Sequence, residues 1–288
     1  MNPVVAVIAP GAMGAGVGRR LVDHGLKVVT SLNGRSQDTV ARANAAGMIA
    51  ASDEEIASAD FILSILPPGD ALSLAERFAP ALGATNSKPV YVDCNAINPA
   101  TVERVAAVIA RTECAFVDAG IIGQPPKAGE LEPRSGPRIY ASGVAAPRFA
   151  TLSDYGLDIR LLDGPMHAAS ALKMSYAGIT KGTQAIGAAM MLAAARADTA
   201  EALFNELEYS QKEMFAWLKR QLAMMPPKAY RWVAEMHEIA GFVGADPTAH
   251  ELYEGAAHFY ERIATDFAAE KQDTAALAAF IGKSSSRH

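Results

Sequence analysis

Much of what this chain of 288 residues can be is settled by what it has little of. It carries two cysteines, Cys94 and Cys114, with neither CxxC spacing nor metal-type histidines beside them. That leaves no basis for a disulfide framework or a thiolate metal site, and predicts buried thiols in a reducing compartment. The six histidines are scattered, without HExxH or paired-ligand spacing, so no metal site is expected. No G-x-S-x-G occurs, which removes support for serine hydrolysis. Basic residues number 26 against 31 acidic ones, and no dense Lys/Arg block appears, so nucleic acid is not an expected partner. The longest stretch of low polarity, 185–195, is too short to span a bilayer and runs into charged residues. The N-terminus enters a strand-like run directly, with no basic segment followed by a signal-type apolar stretch. No membrane partner and a cytoplasmic location are therefore expected. Half the residues are hydrophobic and a fifth charged, an ordinary globular composition.

What is present is ordered in two halves. Up to about residue 164, strand-like apolar runs alternate with helical segments: Val4–Ile8, 28–32, 61–65, Val90–Asp93 and 115–118, with helices such as 36–46 and 99–111 between them. Shorter runs at Arg138–Ser142 and 159–162 are candidates to complete the sheet. This alternation predicts an α/β fold with a parallel, doubly wound Rossmann-type sheet. After Leu162 no strand pattern remains. A proline-free, Ala/Leu/Met-rich stretch from Met166 to about Ala197 predicts one long helix, and Gly178, Gly182 and Gly187 within it suggest close packing. Further helices are expected over 200–224, 226–242 and 247–269. The expected organisation is a nucleotide-binding domain, 1–164, followed by an all-α domain, 165–288, for substrate binding and dimerisation.

The first thirty-six residues carry the clearest motif. Val4–Ile8 leads into Ala9-Pro10-Gly11-Ala12-Met13-Gly14, then a helix, then a second apolar run ending in Asn33-Gly34-Arg35-Ser36. This is the order of a dinucleotide-binding βαβ unit, in which a tight turn and a helix N-terminus receive the pyrophosphate. Gly11, Ala12, Met13 and Gly14 are the candidate pyrophosphate contacts, although Ala9 replaces the first glycine of the fingerprint. No acid lies between Lys27 and Gln37, where an acidic residue would repel a ribose 2′-phosphate. A guanidinium beside two small polar side chains suits that phosphate, so Asn33, Arg35 and Ser36 predict NADP(H). Leu66 and Pro67, where Pro67-Pro68-Gly69 stops the strand at 61–65, are placed at the ligand-binding edge of the sheet.

Four separated pieces then resemble one family in order and spacing. They are the turn 9–14, the segment Val92-Asp93-Cys94-Asn95-Ala96-Ile97-Asn98-Pro99, the segment Asp118-Ala119-Gly120-Ile121-Ile122-Gly123, and Lys173 near the start of the long helix. Together they resemble the β-hydroxyacid dehydrogenases, which include phosphogluconate, hydroxyisobutyrate and tartronate semialdehyde enzymes. The C-terminal part, 230–240, points to a divergent branch. The resemblance implies that Lys173 is the general acid/base, since a partly desolvated ammonium can pass a proton to or from the oxygen at which a carbonyl and a hydroxyl interconvert. It also implies a homodimer with interlocking helical domains. Asn95 stands where the family often has serine, near the nicotinamide end.

Departures bear on the substrate. The family's Ser-Gly-Gly, which holds a substrate carboxylate, corresponds to Ile122, Gly123 and Gln124, so one hydroxyl donor is missing. Tyr176, at i+3 from Lys173, is a candidate donor. These changes suggest a small-molecule substrate less acidic, larger or more apolar than a small hydroxy acid. Arg231, Glu235 and Glu238 fall on one helical face, read mainly as an intrahelical ion pair and a solvated stripe. Two alternatives stand beside the NADPH-dependent dehydrogenase: an imine reductase, which shares this architecture but generally lacks the lysine, and a non-catalytic NADPH-sensing protein.

Overall fold

The computed structural model describes residues 2–283, in two compact units, Met1–Met174 and Ser175–His288. The first unit is built on one eight-stranded sheet. Its strands are β1 (Val4–Ile8), β2 (Lys27–Thr30), β3 (Ile49–Ala50), β4 (Phe61–Ser64), β5 (Val90–Asp93), β6 (Ala115–Ile122), β7 (Arg138–Ser142) and β8 (Asp158–Leu161), in the order β3-β2-β1-β4-β5-β6-β7-β8. From β3 through β6 every pairing is parallel. The helices of this unit are α1 (Ala12–Asp23), α2 (Gln37–Ala45), α3 (Asp53–Ala57), α4 (Ala71–Ala84), α5 (Pro99–Ala110) and α6 (Ala146–Ala150).

The apolar runs are continuous because both faces of the sheet are covered. In β1, Val5 and Val7 join Val17 and Leu21 of α1 and Phe149 of α6 in one core. Ala6 and Ile8, pointing the other way, join Ile56 of α3, Phe78 of α4 and Val105 of α5 in the second. Strand order reverses between β1 and β4, so their carboxyl ends flank the crevice where such sheets bind ligands.

Two features of the sheet depart from the sequence reading. β7 pairs antiparallel with β6 and carries β8 with it, so the last two strands run backwards. β3, only two residues long, carries no periodic signal by which it could be found. The division into units falls at 174/175, inside a helix and later than residue 164, because the first turns of that helix are bonded to the sheet, as described below.

That helix, α7 (Ala168–Arg196), is followed by α8 (Ala200–Ser210), α9 (Lys212–Met224), α10 (Ala229–Phe242), α11 (Pro247–Ala268) and α12 (Gln272–Ile281). The single helix expected over 200–224 is two, broken at Gln211, which leaves the helical region (φ −131°, ψ 39°). The break lets Phe204 and Phe215, one from each piece, meet edge to face at 5.2 Å, with Phe280 of α12 against both. Among the described residues no helix is long and apolar enough to cross a membrane, and no group of three potential metal ligands occurs. Both cysteines are buried and unpaired.

The spaced glycines of α7 are contact points. A Cβ at Gly178 would lie 2.9 Å from Tyr253 Oη and 3.3 Å from Ile239 Cγ2, and one at Gly187 would lie 3.0 Å from Leu218 Cδ2. Gly178→Leu is expected to destabilise the helical unit by about 1–3 kcal/mol through overpacking, despite leucine's better helix propensity. Urea unfolding followed by circular dichroism checks this.

Candidate active site

The dinucleotide turn begins with a residue under strain. Ala9 stands at φ 65°, the left-handed region a glycine would occupy without cost. The turn is tight because Gly14 permits it: a Cβ there would meet the Ala9 carbonyl oxygen at 2.3 Å. Gly11 is the N-cap of α1, with no side-chain cap and no acid in the first turn. A Cβ on Gly11 would meet nothing within 4 Å. An uncapped helix N-terminus beneath open space fits an anionic diphosphate.

At the end of β2, Asn33, Gly34, Arg35 and Ser36 form an exposed turn, with Gly34 at φ 70°. Ser36 is the N-cap of α2, its Oγ accepting from the Thr39 amide and lying 3.0 Å from Thr39 Oγ1. Arg42 then donates from Nη2 to Thr39 Oγ1 at 3.0 Å and from Nε to the Pro10 carbonyl at 3.3 Å. The α2 side chains therefore tie the 33–36 turn to the 9–14 turn. Thr39 and Arg42 were missed in the sequence, though Ser36, Thr39 and Arg42 recur at three-residue spacing along one helix face.

Asn95 is buried and its amide is engaged within the protein. Nδ2 donates to Ser64 Oγ (2.8 Å) and Asp93 Oδ2 (3.0 Å), while Oδ1 accepts from the Leu66 amide (2.5 Å). It shapes the exit of β4, holding half-buried Leu66 and exposed Pro67 at the carboxyl edge. Where the sequence suggests a contact near the nicotinamide end, the structure commits this amide to fixing the turn.

The N-terminus of α7 is capped from the sheet. Asp118 of β6, fully buried, accepts from the Ser170 amide (2.7 Å) and Ser170 Oγ (2.6 Å). Its cross-strand neighbour Ser142 accepts from the Ala169 amide and donates to the Met166 carbonyl. Three residues beyond Ser170, half-buried Lys173 donates from Nζ to the Ile121 carbonyl at 2.8 Å, three residues beyond Asp118. Between these ties Gly120 leaves no room for a side chain: a Cβ would sit 2.8 Å from the Ala169 carbonyl oxygen and 3.1 Å from Lys173 Cβ. The family resemblance pointed to Lys173, but not to Asp118, Ser142 and Ser170 as the groups that place it.

The remaining assignments fall differently. Ile122 is buried, whereas Gly123 and Gln124 are exposed just past the end of β6. Tyr176 lies in the second unit and is 46 % exposed, so it is not a core tyrosine. The solvated stripe read for Arg231, Glu235 and Glu238 is corrected at Glu235, which is 7 % exposed and bonded to Lys181 of α7; Lys181 also lies 5.0 Å from the Trp232 ring centroid. Tyr260 Oη donates to the Lys181 carbonyl at 2.6 Å.

Comparison with known proteins agrees with this layout. Residues 4–146 match the family model of the NAD binding domain of 6-phosphogluconate dehydrogenase, and residues 194–263 match a domain of unknown function, DUF1932. No curated protein matches. Among solved structures, the conserved protein MTH1747, of unknown function and described as similar to 3-hydroxyacid dehydrogenases, is 29% identical (TM-score 0.66; 90% of this chain and 99% of that one covered). The 3-hydroxyisobutyrate dehydrogenase of Mycobacterium tuberculosis is 19% identical (TM-score 0.69; 97% and 99% covered). An imine reductase variant from Myxococcus stipitatus is 17% identical (TM-score 0.55; 98% and 100% covered). The last two likenesses concern the fold.

Burial pushes the Asp118 carboxyl up to about 6, against the opposing effect of its hydrogen bonds from Ser170 and Ser142 and the field of His167. The folded state thus holds this proton more tightly than the unfolded chain, and rising pH removes that advantage between about 4 and 6. Native protein is expected to lose on the order of 3 kcal/mol more stability from pH 4 to pH 7 than the Asp118→Asn variant does. Chemical unfolding of both proteins at the two pH values measures the difference.

Proposed function

We propose that this chain, whose residues 4–146 match the NAD binding domain of 6-phosphogluconate dehydrogenase, is an NADP(H)-dependent oxidoreductase of the β-hydroxyacid dehydrogenase family that interconverts a carbonyl and a hydroxyl. Oxidoreductase chemistry and a nicotinamide dinucleotide cofactor come with the family. The observation that carries the finer reading is Lys173, whose ammonium is fixed by the Ile121 carbonyl at the carboxyl edge where the nucleotide turn also opens.

A nicotinamide cofactor, when bound, would supply or accept the hydride. The chain supplies the proton and the geometry. An ammonium has three N–H groups; one is committed to Ile121, leaving others to meet a substrate oxygen. In reduction Lys173 gives a proton to that oxygen, and in oxidation it takes one from the hydroxyl. The uncapped first turn of α1, with Gly11, Ala12, Met13 and Gly14, receives the diphosphate. Arg35 and Ser36, with Asn33 beside them, receive a 2′-phosphate, supported by Thr39 and Arg42. Buried Ile122 offers no hydroxyl to a carboxylate, and Gln124 offers an amide. A substrate less acidic, larger or more apolar than a small hydroxy acid follows.

The proposal includes a homodimer. Tyr176, Ile179, Ile186 and Met190 are exposed along one face of α7, an uncharged stripe that a second copy would cover. A cytoplasmic setting fits the two unpaired cysteines. Light scattering is expected to give a dimer, and Ile186→Asp to shift it toward monomer.

A screen of NADP⁺ reduction and NADPH oxidation over β-hydroxy acids, their semialdehydes, neutral ketones and cyclic imines tests the reaction. Turnover of an alcohol or carbonyl is expected, falling at least about a hundredfold in Lys173→Ala. Turnover confined to imines, with Lys173 dispensable and exposed Tyr176 as donor, would move the protein to the imine-reductase reading. Arg35→Ala is expected to weaken NADPH binding by about tenfold while leaving NADH binding unchanged, a difference of about 1.4 kcal/mol.

A further inference from the structure

The connection between β6 and β7, residues 123–137, is far longer than the two to five or so residues an antiparallel pair needs. Its base is pinched: Gly123, at φ 136°, packs so closely on Pro137 that a Cβ would lie 2.9 Å from Pro137 Cα. Its body runs along α1. Pro126 rests on Gly16, where a Cβ would meet Pro126 Cδ at 2.9 Å and its carbonyl oxygen at 3.1 Å. One helical turn further on, Arg20 is only 2 % exposed. Its Nη1 donates to the Glu132 carbonyl (2.8 Å) and the Gly156 carbonyl (3.1 Å), and its Nη2 to Ser135 Oγ (3.1 Å). Ser135 Oγ in turn donates to the Glu132 carbonyl at 2.7 Å. A guanidinium so deeply buried is costly, and these acceptors are neutral oxygens rather than a carboxylate. What they have in common is place. Two of the three lie on the 123–137 connection, and a planar fork of donors reaches several carbonyls at once where an ammonium could not.

We propose that Arg20 is a positioning residue that clamps segment 124–136 along the cofactor-binding helix and so holds Gln124 in place for the substrate. The role of Gln124 rests on the oxidoreductase reading above; the clamp itself does not. Compact loops with closed ends commonly carry function on the rigid element beneath them. Here that element is α1, whose first turn receives the diphosphate. Gln124 is two residues from the Pro126 contact and directly follows Gly123, so freeing the segment would free Gln124 too.

Lys127 and Arg134, both exposed within the segment, make trypsin a direct probe. Arg20→Gln removes the charge and the fork. Ser135→Ala removes one acceptor from the exposed side and leaves Arg20 intact. In Arg20→Gln, cleavage after Lys127 or Arg134 is expected to accelerate by about tenfold or more at unchanged far-ultraviolet circular dichroism, as local opening becomes cheaper. Ser135→Ala should accelerate it by a smaller factor, and Arg20→Lys should fall between wild type and Arg20→Gln. KM for the substrate turned over fastest in the screen should rise by about tenfold in Arg20→Gln with a smaller change in kcat, while NADPH affinity, read by fluorescence titration, stays within about threefold. Unchanged cleavage in both variants overturns the clamp; faster cleavage with KM untouched, or a loss of NADPH affinity exceeding the loss for substrate, overturns the role given to Gln124. If Arg20→Gln does not fold, Ser135→Ala decides by the same criteria. If wild type turns over nothing in the screen, the oxidoreductase reading fails, while the cleavage rates still decide the clamp.

Discussion

The bond from the Asp118 carboxylate to the first turn of α7 is the constraint on which the site depends. A helix as long as Ala168–Arg196 has N–H groups at its start without intrahelical partners, and here those of Ala169 and Ser170 are met from the sheet. Placing the acceptors on β6 and β7 fixes both the direction of those first turns and their rotation about the helix axis. Lys173 then arrives at Ile121 with no ion-pair partner among the described residues, held by a main-chain carbonyl that leaves its other protons available. Burial of the carboxylate opposes its ionisation, so the anchor is kept at an energetic cost.

The nucleotide end is governed by close approach instead. Gly14 lets the turn close on Ala9, Gly120 lets the start of α7 lie against β6, and Gly16 lets Pro126 lie against α1. In each case the absence of one carbon sets the distance. This is why the fingerprint tolerates Ala9 in its first position. That residue needs only an unusual φ, which alanine can adopt at a cost of roughly 1–3 kcal/mol, whereas Gly14 needs empty space.

Most of the fold was legible because its signals are local. Runs such as Val4–Ile8 and Val90–Asp93, the proline-free stretch that became α7, and the turn at 9–14 each announce themselves within a few residues. The direction of β7 and β8 was not legible, since an isolated five-residue apolar run is the same whichever way it runs. In the site, Lys173 and the Asn33-Gly34-Arg35-Ser36 turn carried recognisable patterns. Asp118, Ser142, Ser170 and Arg20 did not, because their partners lie 24 to 136 residues away and pairing at such separation leaves no periodicity. Asn95 shows the converse: its position was legible, but only its three bonds reveal that its amide serves the turn.

The reversal of β7 has a further consequence. A strand continuing the parallel run would have required a crossover returning to the far edge of the sheet, with a helix packed on one face. Because β7 runs back beside β6, both ends of the 123–137 connection emerge at the carboxyl edge, the edge on which the 9–14 turn also lies. Residues 127–131, between the Pro126 contact and the Arg20 acceptors on Glu132 and Ser135, can therefore be inserted, removed or exchanged without shifting a ladder bond. That short stretch is free to diverge at low cost to stability, while the register that presents Lys173 stays the same.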